Sequence, residues 1–152
     1  MPVRADRVQP TLAQLLGPKK VLCRRRAADW EDAVRQACEV LVRAGDVTEE
    51  FTRSAIQSVR GAGPYIVIMP GVALAHARPE NNVMKNSIGV ATFRGGVSFG
   101  NESNDPVYAV FAIAARSDEE HLKLFRALAK FIAEEENVER LKQARAFSEI
   151  GF

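Results

Sequence analysis

The chain has 152 residues, of which 47% are hydrophobic and 26% charged, and its formal net charge is +2. This balance is typical of one folded domain and excludes a disordered chain or a fibrous repeat. No apolar run approaches the roughly 18 residues that a membrane span needs, and the first residues lack the apolar core of a secretory signal. We therefore expect one cytoplasmic domain over 1–152, with 1–17 as a peripheral N-terminal segment.

Positive charge is concentrated near the N-terminal end of the chain. Residues 1–28 contain seven Lys or Arg and one acid, Asp6, whereas residues 29–152 contain 14 basic and 18 acidic residues. Such an end is typical of nucleic-acid or anionic-lipid binding, or of a solvated edge beside a strand. We favour the solvated edge and expect no nucleic-acid partner, because no aromatic residues are interleaved and no DNA-reading motif follows.

Predicted helices and strands alternate along the chain. The predicted elements are a strand at 20–23, helices at 30–44 and 49–60, extended segments at 65–69 and 72–75, strands at 86–93 and 107–115, and helices at 118–133 and 138–146. Asp29, Thr48 and Ser117 are the expected N-caps of three of these helices. Gly45 is expected to take a positive φ after the first helix.

This alternation predicts an α/β fold with a mixed β-sheet flanked by helices in a single domain. A hairpin-like pair around 86–99 indicates that the sheet is mixed rather than purely parallel. The helix at 118–133 is expected to face the core through an apolar stripe. The members of this stripe are Leu122, Phe125, Ala129 and Ile132.

The sequence offers few groups for catalysis or metal binding. Cys23 and Cys38 are too few for a disulfide framework and are expected to be small core residues. The sequence has neither a glycine-rich phosphate loop nor a nucleophile elbow. Because His76 and His121 are the only histidines, we expect no protein zinc site and no cofactor.

His76 and His121 are the only side chains that ordinarily titrate near neutral pH. His76 lies where an extended segment ends, and ligands of open α/β sheets gather at strand ends. His121 lies in the first turn of the helix that Ser117 begins. A histidine at either position, without the other nearby, is more typical of a structural role than of a functional one. If the strand end and the helix start meet, two imidazoles and a positive helix end form an anion site.

Four segments of the chain together resemble one protein family. They are Gly-Pro-Tyr-Ile-Val-Ile-Met-Pro-Gly-Val-Ala-Leu-Ala-His-Ala-Arg-Pro-Glu at 63–80, Val-Ser-Phe-Gly at 97–100, Asn-Asp-Pro-Val at 104–107 and Asp-Glu-Glu-His-Leu at 118–122. The family is the enzyme IIA component of the bacterial phosphotransferase system, in its mannitol/fructose class and L-ascorbate branch. The resemblance covers most of the chain and is densest at 63–132.

The resemblance implies a role for particular residues. His76 would accept a phosphoryl group from phosphorylated HPr and pass it to a cysteine of the IIB component, so the chain would act as a phosphotransferase. His121 would lie against the phosphorylated ring. Related branches place an assisting arginine upstream of the active histidine, where Arg60 stands in this sequence, and Arg78 is the alternative.

The resemblance also implies transient docking of protein partners. Leu74, Val83 and Phe99 are candidates for an apolar docking rim, unless they belong to the core. The membrane component IIC would be contacted only indirectly, and the oligomeric state stays open, with a homodimer as one option. The sugar would be L-ascorbate by resemblance alone. Two other functions stay open: a IIA-like regulator whose phosphorylation controls a partner, and a small-molecule or nucleic-acid binding domain that uses the basic end.

Overall fold

The computed structural model describes residues 11–77 and 82–152, which form a five-stranded β-sheet with helices on both faces. The strands are β1 (Val21–Arg25), β2 (Val67–Met69), β3 (Val72–His76), β4 (Ser87–Val97) and β5 (Val107–Ala114). The helices are α1 (Leu12–Leu16), α2 (Trp30–Arg43), α3 (Glu49–Ala62), α4 (Asp118–Ile132) and α5 (Glu135–Gln143). Short 3₁₀ turns lie at Pro18–Lys20, Pro64–Ile66 and Phe147–Glu149. None of the described helices is long and apolar enough to cross a membrane.

The order of the strands in the sheet is β1-β4-β5-β3-β2. The pairs β1–β4 and β3–β5 are parallel, whereas β4–β5 and β2–β3 are antiparallel. The sheet is therefore mixed, and the predicted fold class is confirmed. The long hairpin joins β4 to β5, however, and not two strands within 86–99. The expected turn at 94–96 is an irregularity inside β4, where Gly95 and Gly96 take a positive φ.

Two hydrophobic cores lie on the two faces of the sheet. Side chains alternate along a strand, so Val110, Ala112 and Ala114 of β5 belong to the core that α2 and α3 cover. Phe111 and Ile113 of the same strand belong to the core that α1, α4 and α5 cover. The nearly continuous apolar sequence of β5 is thus explained by burial on both faces.

Cap geometry confirms the predicted starts of α2 and α4, whereas the helix predicted at 138–146 is α5 and runs from Glu135 to Gln143. The side chains of Asp29 and Ser117 each accept a hydrogen bond from the backbone N–H three residues further on, and Gly45 has a φ of 80°. Thr48 precedes α3 without a capping hydrogen bond from its side chain. Helix α1 was not expected, since the whole segment 1–17 was predicted to be peripheral; residues 1–10 lie outside the described ranges.

The two cysteines differ in environment. Cys38 of α2 is buried, and burial raises the pKa of its thiol to about 12. Cys23 of β1 is half-buried, and burial raises the pKa of its thiol too. Both thiols are therefore protonated at neutral pH, which agrees with a packing role for Cys38 and gives Cys23 no nucleophilic character.

A buried polar cluster joins three separate elements at the end of the sheet where β3 terminates. The Asp46 carboxylate accepts hydrogen bonds from Ser87 Oγ at 2.6 Å and from Lys20 Nζ at 2.8 Å. The backbone carbonyl of Asp46 also accepts from the N–H groups of Met84 and Lys85. Asp46 therefore ties the α2–α3 connection to β4 and to the start of β1.

Replacing Asp46 with Asn is expected to lower the free energy of unfolding by about 3 kcal/mol, because it leaves the largely buried Lys20 ammonium without its counter-charge. Urea denaturation would measure this loss. The control is Glu50→Gln, which removes an exposed ion pair with Arg53 and should cost less than about 1 kcal/mol. Equal losses in the two variants would contradict a structural role for the Asp46 cluster.

Candidate functional site

His76 is the last residue of β3, at the end of the sheet where β3 and β5 both terminate. It pairs with Ile113 of β5 in parallel register. Strand alternation places its side chain on the same face as Val72 and Leu74, the face that α4 covers. The imidazole is exposed although the strand behind it is buried. The backbone therefore presents His76 rigidly to solvent.

His121 lies in the first turn of α4, close to His76. Helix α4 begins shortly after β5, so its first turn lies at the same end of the sheet. The ring centroids of His76 and His121 are 5.2 Å apart, and the ring planes are inclined by 57°. The structure thus brings together the two histidines that the sequence singled out.

Asn86 fixes the start of α4 relative to the sheet. Its Oδ1 atom accepts a hydrogen bond from the N–H of Arg116 at 2.8 Å, and its Nδ2 atom donates to the Glu120 carboxylate at 3.2 Å. Because Glu120 immediately precedes His121, these two bonds help to set the position of the second ring. Sequence reasoning missed Asn86, since a contact across thirty residues leaves no local pattern.

The His121 imidazole has a perturbed pKa. Burial lowers its pKa, the neighbouring His76 lowers it further, and Asp118 raises it in part. The ring is therefore neutral at pH 7. Its Nε2 atom is buried and has no hydrogen-bond partner among the described residues. The His121 ring, which lies next to His76, thus carries one unsatisfied polar atom.

An open apolar groove of about 320 Å³ surrounds the two rings. Besides the histidines, its lining residues are Tyr65, Ile66, Ile68, Leu74, Leu122 and Phe125. Tyr65 is 77% exposed, Leu122 47% and Ile68 38%. A cluster of large exposed apolar side chains is typical of a surface that another protein covers.

The residues that form this groove differ from those that the sequence suggested. Leu74, Val83 and Phe99 are all buried and belong to the core, and of the three only Leu74 reaches the groove. Leu122 was expected to face the core but is exposed. The reason is that the fully buried apolar side chains of α4 are Leu124, Leu128 and Ile132. Of the expected stripe, Ile132 is therefore confirmed, and Phe125 is partly buried against the same core.

The expectation that Arg60 extends towards His76 is not met in this structure. Its guanidinium forms an ion pair with Glu31 in the first turn of α2. Helix α2 follows the end of β1 and packs on the face opposite α4. The parallel and antiparallel registers place that end of β1 away from His76. Arg78, the alternative arginine, lies outside the described residues.

The N-terminal end of α4 carries negative side chains. Its first turn contains Asp118, Glu119 and Glu120, which offset the positive potential of the helix end. The expected contribution of this helix end to an anion site is therefore reduced. Within 11–77 and 82–152 no group of three or more His, Cys, Asp or Glu side chains could hold a metal ion. The polar chemistry of the described site is that of its two imidazoles.

The fold and the site define a small α/β protein with two neighbouring histidines in an open apolar groove. The chain belongs to the family described as phosphoenolpyruvate-dependent sugar phosphotransferase system, EIIA 2, whose model matches residues 14–151. This membership confirms the family resemblance of the motifs at 63–80 and 118–122.

Individual relatives agree with this assignment. SgcA of Escherichia coli K12, which is named as a phosphotransferase IIA component, is 36% identical over 114 residues, 75% of this chain and 80% of SgcA. The ascorbate-specific EIIA component of Shigella flexneri is 31% identical, covering 87% of this chain and 86% of the relative. The mannitol enzyme IIA of Escherichia coli, in its complex with phosphorylated IIB, superposes with a TM-score of 0.80 at 28% identity, covering 89% and 93% of the two chains.

The His121 ring should titrate below the ordinary histidine pKa of about 6.5, and His76→Ala should raise that pKa partway, because burial remains after the neighbouring ring is removed. Ring NMR signals followed against pH would measure both values. Because His121 binds a proton more tightly in the unfolded state than in the folded state, its contribution to the free energy of unfolding decreases as the pH drops below about 6.5. An unchanged His121 pKa in His76→Ala would contradict the coupling of the two rings.

Proposed function

We propose that His76 carries a phosphoryl group between two partner proteins, accepting it from phosphorylated HPr and donating it to a cysteine of a IIB component. The observation that supports this most directly is the exposed His76 ring beside His121 in an apolar groove, in a chain of the EIIA 2 family. The ascorbate-specific relatives favour L-ascorbate uptake as the transport system.

The proposed chemistry is two successive phosphoryl transfers. A nitrogen lone pair of neutral His76 forms a bond to phosphorus while the bond between phosphorus and the donor atom breaks. A thiolate sulfur of the IIB component then attacks phosphorus, and the imidazole leaves with the electron pair of the N–P bond. Imidazole suits both steps, because it is a neutral nucleophile at pH 7 and a good leaving group when phosphorylated.

His121 would assist by positioning and hydrogen bonding. Its buried Nε2 atom has no hydrogen-bond partner among the described residues, and its lowered pKa keeps the ring neutral. A neutral imidazole can donate one hydrogen bond to a phosphoryl oxygen without adding charge beside the His76 ring. The role we assign to His121 is to stabilise the group in transit, not to carry it.

The apolar groove would be the surface on which both partners dock. Its exposed Tyr65, Ile68 and Leu122 side chains lie around the His76 ring, so a partner that covers them also excludes water from the transfer. Exclusion of water protects the phosphoryl group from hydrolysis and strengthens the hydrogen bonds that hold it. Sequential use of one groove by two partners requires interfaces that bury little area and dissociate fast.

Incubation with phosphoenolpyruvate, enzyme I and HPr is expected to add one phosphoryl group to the protein, and His76→Ala is expected to abolish the addition. Intact-mass measurement gives the stoichiometry, and the adduct should be labile in acid and stable in base, as a phosphoramidate is. Full labelling of a folded His76→Ala variant would refute the assignment. Labelled protein that passes no phosphoryl group to a IIB cysteine would support the regulatory role instead.

His121→Ala should still accept one phosphoryl group but should pass it to the IIB component about 10²–10³-fold more slowly, because it loses a hydrogen bond made to the group in transit. Rapid-quench kinetics with a IIB acceptor would measure this rate.

The control is Arg60→Gln, whose transfer rate should stay within about twofold of the unmodified protein, since Arg60 pairs with Glu31 on the other face of the sheet. Phosphate on His121 of the unmodified protein would reverse the two histidine roles, and a large loss in Arg60→Gln would restore the arginine to the site.

A further inference from the structure

We propose that the protein has a second, anion-binding site at the end of the sheet away from the histidines, for a small ligand with at least two phosphate or carboxylate groups. The site lies between the end of β1 and the C-terminal part of α5 with the turn that follows it. It uses part of the basic N-terminal region that the phosphocarrier function leaves without a role. The proposal stands independently of the phosphoryl transfer at His76.

A groove of about 640 Å³ lies at this position, within the volume range of small-molecule sites. Four cationic side chains and one carboxylate, that of Glu149, are among its lining residues. The cations are Arg24, Arg140, Lys142 and Arg145. Glu149 is held by the chain itself, since its Oε1 atom accepts a hydrogen bond from the N–H of Arg145 at 2.6 Å. The groove therefore presents an excess of positive charge.

Two of the four cations have partners within the chain: Arg140 donates a hydrogen bond to Asn137 Oδ1 at 3.0 Å, and the Lys142 ammonium lies 4.9 Å from the centre of the Tyr108 ring. Arg140 contacts Glu136 at 3.7 Å and Lys142 contacts Glu139 at 3.3 Å, each one turn earlier in α5. Exposed pairs of this kind contribute little and open readily to a stronger acceptor. Within the described ranges no ion pair engages Arg24 or Arg145. These two guanidinium groups are the strongest candidates for direct ligand contacts.

Arg24 has an unusual backbone conformation. Its φ is 55°, the only positive φ among the described residues other than glycine. Between Leu22 and Arg25, strand β1 has one residue more than the paired segment of β4, so Arg24 lies in a β-bulge. The Arg24 N–H donates to the buried Thr92 hydroxyl at 2.8 Å. Left-handed backbone at a residue other than glycine costs energy and is found preferentially at functional sites.

Arg24 and Arg145 come from distant parts of the chain and line the same groove. Arg145 also lines a second groove, together with Arg25. The planar guanidinium fork binds phosphate and carboxylate oxygens through two parallel hydrogen bonds. Arginines from two distant parts of the chain can thus hold two anionic groups of one ligand.

The surrounding charges favour a small ligand over a nucleic acid. Helix α5 begins with Glu135 and Glu136, which follow Glu134, and the net charge of the whole chain is only +2. A long polyanion bound along this region would meet those three carboxylates, whereas a compact one in the groove would meet four cations and the single carboxylate of Glu149. Nucleic-acid binding needs a broader basic surface.

Isothermal titration calorimetry with inorganic pyrophosphate would test the site at low ionic strength, on the unmodified chain and on His76→Ala. We expect saturable binding of one pyrophosphate in both proteins. Arg145→Gln and Arg24→Gly should weaken this binding at least about tenfold, because each removes a guanidinium. Arg24→Gly is informative since glycine adopts a positive φ without strain, so thermal stability should be kept while binding is lost.

The matched control is Arg53→Gln, which removes the same charge from an exposed arginine on α3 and should leave pyrophosphate binding unchanged. Three results would overturn the proposal: no saturable binding, equal weakening in Arg53→Gln, or loss of binding in His76→Ala, which would place the anion at the histidines. Tighter binding of a single-stranded oligonucleotide than of pyrophosphate at the same ionic strength would overturn the small-ligand class.

Discussion

The parallel pairing of β3 with β5 is the constraint on which the histidine site depends. It places His76 opposite Ile113, and β5 leads within a few residues into α4 and His121. The size of the side chains sets this register: Ala73 and Ala75 face α2 and α3, whereas Val72 and Leu74 face α4. A slip by one residue would exchange these faces and turn His76 away from His121. Core packing therefore determines the distance between the two rings.

This packing also determines the electrostatics of the site. The His121 ring lies 5.2 Å from the His76 ring in a groove with apolar walls, and its pKa is lowered first by burial and then by the neighbouring His76. In the proposed function, a neutral His121 would avoid like-charge repulsion in the site, and its buried Nε2 atom has no hydrogen-bond partner among the described residues. The Asn86 bonds to Arg116 and Glu120 help to maintain this geometry at the helix start.

Local patterns predicted many of the features that depend on local physics. The sequence predicted the caps at Asp29 and Ser117 and the apolar run of β5, but it did not predict α1, although the Thr11 cap of that helix is equally local. Whether Leu122 faces the core or the solvent depends on how α4 is rotated against the sheet. The spacing of apolar residues in α4 does not determine this rotation. The contacts of Arg60 depend on the packing of α3 against α2. Residue type alone was therefore enough to identify the two histidines as site candidates. The residues that line the groove and the partner of Arg60 are determined by tertiary packing and could not be predicted from local patterns.

The scarcity of positive charge around the histidines agrees with the proposed role of His76, in which a phosphoryl group stays on the protein only briefly between two transfers. The described walls of the groove are apolar, the first turn of α4 carries three acids, and Arg60 is engaged elsewhere. In the proposed function, cations fixed beside His76 would stabilise the phosphoryl group before transfer as well as during transfer, and only the difference between the two stabilisations raises the rate. A weakly held group keeps a high transfer potential towards the next acceptor. The charge needed in the transition state is then most effective when the docked partner supplies it, because it acts only while that partner is present.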